Sequence, residues 1–197
     1  MLTSMRPRSG RSVSIGALVG IVVCAAGLAG VALVGSRSSS SSRGTTLSSA
    51  ERAQRTALVS WEAEIHPAVV SAGQVVALGP RRAVSEVANH TQPDAQLRGM
   101  AIGWHARLVV LRAQLAAVAA PPFLQSAKTL LDLAMAGYVN SARSLLLATN
   151  AHGARRTSLL VAATANGRAA DHKYDEAVAA VASWRSRLDL APDWSAS

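Results

Sequence analysis

The chain has 197 residues, half of them hydrophobic, with 16% charged side chains and a formal charge of +9. At roughly 100–200 residues per domain, this length holds one folded domain and an extension. Residues 1–50 carry five arginines and no acid, so only +4 remains downstream, spread over 15 basic and 11 acidic groups without a basic block; this speaks against a nucleic-acid partner. The single cysteine excludes an internal disulfide. Arginine outnumbers lysine 18 to 2, and with the abundant alanine this suggests a GC-rich bacterial genome.

Residues 1–12 form a basic N-terminus with Arg6, Arg8 and Arg11. An uncharged run of 23 residues, 13–35, follows. As a helix it would extend about 35 Å, enough to span a bilayer. A secretory signal peptide has a shorter apolar core, although Ala26 and Gly35 would serve as cleavage ends and leave a secreted form open. Lipidation of Cys24 would need a small residue before it, where Val23 stands. An uncleaved, single-pass anchor is the favoured reading. Arg6, Arg8 and Arg11 outnumber Arg37 and Arg43 beyond the run, which places the N-terminus in the cytoplasm and the remainder outside. Gly16, Gly20, Cys24 and Gly27 form a ridge of small residues on one side of the span, suited to a homodimer through the membrane helix.

Residues 36–47, rich in serine, read as a flexible tether. A helical domain over 48–190 and a short tail over 191–197 complete the chain. Ser48 and Glu51 fit a capping box, followed by a stripe through Ala50, Ala57, Trp61, Ile65, Val69, Ala72 and Val76. Pro67 is expected to kink or split this helix near His66. Gly79-Pro80 interrupts it, and 81–90 suggests a short extra helical piece.

Thr91 and Pro93 supply the start of a second long helix with Leu97, Ala101, Trp104, Leu108, Leu111, Leu115 and Val118 at steps of four and three. Pro121-Pro122 ends it. The next stripe is Leu124, Ala127, Leu131, Ala134, Tyr138, Ala142 and Leu145; the last runs Leu160, Ala163, Gly167, Ala170, Tyr174, Ala177, Val181, Trp184 and Leu188. Periods near 3.5 without strand alternation imply an all-α fold, an antiparallel four-helix bundle. Alanine along the seams, with Gly99 and Gly103, suggests close helix approach, and Trp61, Trp104 and Trp184 read as core anchors.

The densest polar cluster holds Asp171, His172, Asp175 and Glu176. Its i, i+4 pairs suit a metal edge, but three of the four point away from the apolar stripe, so a solvated, ion-paired face is the simpler reading. Glu62 with His66 and Glu86 with His90 repeat the spacing. Arg98, His105 and Arg112 recur every seven residues along one flank of the second long helix. A basic ridge there suits an anionic lipid, a cell-wall polymer or a partner protein, but pairing with acids such as Glu62 or Asp171 on adjacent helices is the favoured reading.

No nucleophile elbow, phosphate loop, His-Glu-x-x-His or Cys-x-x-Cys-His is present. The expectation is therefore a non-enzymatic, cofactor-free binding or scaffolding protein of the bacterial envelope, held in the lipid bilayer and meeting an envelope protein. A metal-binding bundle using the Asp171/His172/Asp175/Glu176 face is the alternative. A ligand-sensing bundle, which would need a signalling partner, is a third reading.

Overall fold

The computed structural model describes residues 47–89 and 94–191, which fall within a compact unit, Thr45–Ser197. The basic N-terminus, the uncharged run with Gly16, Gly20, Cys24 and Gly27, and the tether before Leu47 lie outside the described residues. So do His90, Thr91 and Pro93 and the tail beyond Ala191. Among the described residues no helix is long and apolar enough to cross a membrane.

The described chain is an all-helical bundle without strands: α1 (Ser49–Leu78), α2 (Pro80–Asn89), α3 (Asp94–Ala117), α4 (Gln125–Ala148) and α5 (Gly153–Arg187), with a 3-10 turn at Pro122–Leu124 before α4. The start of α1 is set by the expected capping box. Glu51 N–H donates to Ser48 Oγ at 3.2 Å, and Ser48 N–H donates back to Glu51 Oε2 at 2.7 Å. Those bonds to Ser48 hold the Glu51 carboxyl below its ordinary range. Gly153 opens α5 at φ +56°, a left-handed conformation that a side chain would strain.

Pro67 does not split α1, which runs unbroken through it. The donor that Pro67 lacks would have served Ala63, four residues back, and both residues are exposed. Water can satisfy that carbonyl, so the lost bond is cheap here. The stripe on α1 also shifts at its start: Ala50 is exposed, Ala57 is half-buried and the adjacent Leu58 is buried, after which Trp61, Ile65, Val69, Ala72 and Val76 follow the expected spacing inward.

The main core joins buried side chains of α1, α3, α4 and α5, including Trp61, Ile65, Leu108, Leu115, Leu131 and Val181. A smaller cluster of Ala83, Leu97, Ala101, Leu145 and Ala163 brings in α2. Trp104 packs against both clusters and lies on Gly79, the single residue between α1 and α2. A Cβ at Gly79 would stand 2.5 Å from Trp104 Cε2, so glycine is what lets the indole lie on this backbone. Trp184 packs against Phe123 with ring centroids 4.9 Å apart and planes tilted by 59°, and the Arg187 guanidinium lies 4.9 Å from the Trp184 ring.

Helix approach is closest elsewhere than expected. Gly99 and Gly103 are exposed, and a Cβ at either would have no neighbour within 4 Å. They lie off the seam, where glycine weakens the helix and contributes no packing. Gly99→Ala and Gly103→Ala should each raise stability by about 0.5–1 kcal/mol, read as a shift in denaturant midpoint. The close approach is instead at Gly137, whose Cβ would meet Ala170 Cβ at 2.8 Å between α4 and α5.

Candidate functional site

The outward side of α3 is the feature that packing within the bundle does not explain. Leu97, Ala101, Leu108, Leu111 and Leu115 turn inward. A helix advances about 100° per residue. On that basis Gly99, Ile102, Gly103, Ala106, Val109, Val110 and Ala113 share the opposite side, an arc of roughly 120°. All seven are exposed. Three of the eight large exposed hydrophobics among the described residues lie on this arc: Ile102 at 50%, Val109 at 43% and Val110 at 54%. A helix apolar on both sides is usually covered on both.

Basic groups on α3 sit only between those two sides. Arg98, His105 and Arg112 form one edge and Arg107 with Gln96 and Gln114 the other; Asp94, the first residue of α3, is its one acid. Arg98, Arg107 and Arg112 are exposed, and His105 is half-buried. The expected pairing of this ridge with Glu62 or Asp171 does not form. Glu62 accepts from Arg185 Nη1 on α5 at 2.5 Å, and Asp171 Oδ1 accepts from Tyr138 Oη on α4 at 2.8 Å. The basic edge therefore faces solvent.

The Glu62–Arg185 pair is the main polar element of the core, each residue 6% exposed. Arg185 also donates through Nε to the Ala191 carbonyl. Glu62 Oε1 and the neighbouring Trp61 Nε1 are buried without hydrogen-bond partners among the described residues. Burial pushes the Glu62 carboxyl above its ordinary range, and attraction and hydrogen bonding from Arg185 offset this only in part.

Of the polar residues on α5, His172 Nδ1 lies 2.8 Å from Glu176 Oε1, and Lys173 Nζ lies 2.7 Å from Glu176 Oε2. The hydrogen bond from Lys173, with help from His172, holds the Glu176 carboxyl below its ordinary range. Asp175 is exposed, and Asp171 is engaged by Tyr138. The four residues thus divide: His172 and Glu176 come together, and Asp171 turns to α4. Among the described residues no group of three or more His, Cys, Asp or Glu is placed to hold a metal.

A cleft of about 380 Å³ opens between the end of α1, α2, α4 and α5. Val76, Val84, Ala88 and Ala163 make it apolar, and Tyr138, Asp171 and Arg168 supply polar atoms. Ser141 Oγ, also on its wall, donates to the Ala163 carbonyl at 2.7 Å and ties α4 to α5. Tyr138 was legible as a stripe residue; the cleft itself was not, because it depends on where α2 packs. No family model, no curated protein and no solved structure matches this chain.

Proposed function

We propose that this chain is a membrane-anchored protein of the bacterial envelope whose helical bundle, outside the cytoplasm, acts by binding rather than by catalysis. The observation that carries the reading is the outward side of α3, exposed, apolar and edged by arginines and glutamines. Exposed apolar faces with polar rims mark interaction surfaces. The bundle is an antiparallel arrangement of four long helices with α2 as a fifth, short piece. In support, Tyr138 on α4 meets Asp171 on α5 while Ser141, further along α4, meets Ala163, earlier on α5, as oppositely running neighbours require.

Residues 13–35 serve as the anchor and 36–47 as the tether. Localisation is tested by fusing alkaline phosphatase, active only outside the cytoplasm, to the C-terminus. Activity on whole cells is expected; a silent fusion together with a bright cytoplasmic fluorescent-protein fusion would overturn the orientation. Binding is tested with photo-crosslinking side chains at positions 102 and 110 in the full chain in its native membrane. Adducts should form there and not at position 172 on α5; equal labelling of all three positions would remove the reading.

A further inference from the structure

We propose that the outward side of α3 docks on the anionic surface of the bilayer itself, laying the bundle against the membrane. The inference rests on the anchored reading above and names the occupant of that face. Two observations select it. Ile102, Ala106, Val109, Val110 and Ala113 make an exposed apolar strip along the helix, the geometry of a helix lying in the plane of an interface. Arg98 and Arg112 with His105 on one edge, and Arg107 on the other, place positive charge on both sides of that strip. Laid on a membrane, those edges sit at the level of the phosphates while the strip enters between the headgroups.

A second copy of α3 is a poor occupant, because with four basic groups against the single acid Asp94 its edges would set arginine against arginine. The tether also favours the bilayer. Twelve residues, 36–47, reach about 40 Å when fully extended. A bundle held within that distance meets the lipid surface at high effective concentration, so shallow contacts of valine, isoleucine and alanine with three arginines are sufficient.

The test uses the full chain with Cys24→Ser and a single environment-sensitive fluorophore attached through Val110→Cys, or through Val161→Cys on α5 as control. The chain is reconstituted in vesicles of phosphatidylglycerol and phosphatidylcholine, or of phosphatidylcholine alone. Flotation of the vesicles reports the anchor, and iodide quenching reports docking. The expected result is a blue-shifted, iodide-protected label at 110 in anionic vesicles only, with the label at 161 quenched in both. Raising salt should weaken the protection. In Arg98→Gln/Arg112→Gln the ratio of docked to undocked chain should fall roughly 30-fold, a factor of about five for each arginine.

Equal quenching at 110 in both vesicles overturns the proposal. So does protection at 110 in detergent together with a dimeric mass, which would assign the face to a second copy. So do photo-adducts from position 110 to protein and not to lipid, which would assign it to an envelope protein. A chain that fails to float with vesicles of phosphatidylcholine alone defeats the anchor reading alone. The label at 110, followed on adding the same anionic vesicles to that chain, then decides docking by itself: protection supports it, and its absence overturns it.

Discussion

Arg185→Ala should be among the most destabilising single substitutions in this bundle, by about 3 to 5 kcal/mol, because it strands a buried carboxylate. Glu62 is 6% exposed, and Arg185 is its only hydrogen-bond donor among the described residues. For a folded unit of this size the loss corresponds to a fall in Tm on the order of 10 °C, read by thermal or chemical denaturation. The pair is nonetheless not a net source of stability. Two charges taken from water cost several kcal/mol each, and replacing both by apolar groups of similar volume is neutral or stabilising by about 1 to 4 kcal/mol. Glu62→Leu/Arg185→Met should therefore recover most or all of what Arg185→Ala loses. The Ala191 carbonyl that Arg185 also serves belongs to an exposed residue, so water can replace that bond. If the double variant is as unstable as Arg185→Ala, the pair carries more than its own charges.

The pH dependence has a definite sign. Burial raises the Glu62 carboxyl above its ordinary 4.5. The folded chain thus binds this proton more tightly than the unfolded chain. The stability linked to it is full below 4.5 and is lost as pH rises through the higher folded value. Arg185→Ala removes the attraction that opposes this rise and should steepen the loss. That variant should be weakest at neutral pH and regain stability as the solution is acidified towards the Glu62 range. Glu62→Gln should remove this component of the slope. Glu51 and Glu176 act in the opposite sense, because both carboxyls are held low and their contributions fade as pH falls.

Much of the inner packing was legible in the sequence. Leu124, Ala127, Leu131, Ala134, Tyr138, Ala142 and Leu145 were placed on one stripe by spacing alone, and all seven are buried. Apolar periodicity reports burial well when one side of a helix is apolar and the other polar. It fails on α3, where the same steps of four and three pick out the inner leucines and pass over an equally apolar outer side. The informative signal there was the confinement of basic charge to two narrow edges.

The Glu62–Arg185 pair was also within reach. Glu62 stands four residues after Leu58 and three before Ile65, and Arg185 stands four after Val181 and three before Leu188, all four of them buried. Each charged residue thus continues an inward stripe, and each directly follows a stripe tryptophan. Reading Glu62 as an acid available to Arg98 or Arg112 overlooked that position. The cleft, by contrast, depends on α2 packing across the end of the bundle, and ten residues of local pattern do not encode where such a piece comes to rest.

The junction of α4 and α5 gives the second large effect. A Cβ at Gly137 would lie 2.8 Å from Ala170 Cβ and 3.3 Å from both Ala170 Cα and the Asn166 carbonyl oxygen. Two of these obstacles are backbone, so no rotamer change clears them and the helices must part. Gly137→Leu should cost about 3 kcal/mol or somewhat more, at the upper end of overpacking penalties. Gly167 provides an internal comparison on the facing helix. There a Cβ meets only Ser141 Oγ at 3.4 Å, an ordinary contact. Gly167→Ala should therefore gain up to about 1 kcal/mol from helix propensity, whereas the same gain in Gly137→Ala is spent against the Ala170 methyl. Opposite signs for one chemical change, thirty residues apart in a single interface, would locate the close approach at Gly137. Because Tyr138 follows Gly137 and Asp171 follows Ala170, parting the helices there also draws the Tyr138–Asp171 hydrogen bond beyond its 2.8 Å. Gly137→Leu should then alter the ultraviolet absorption of Tyr138 while Gly167→Ala leaves it unchanged. An unperturbed tyrosine spectrum in a destabilised Gly137→Leu would mean that the strain is absorbed by the Ala170 side alone.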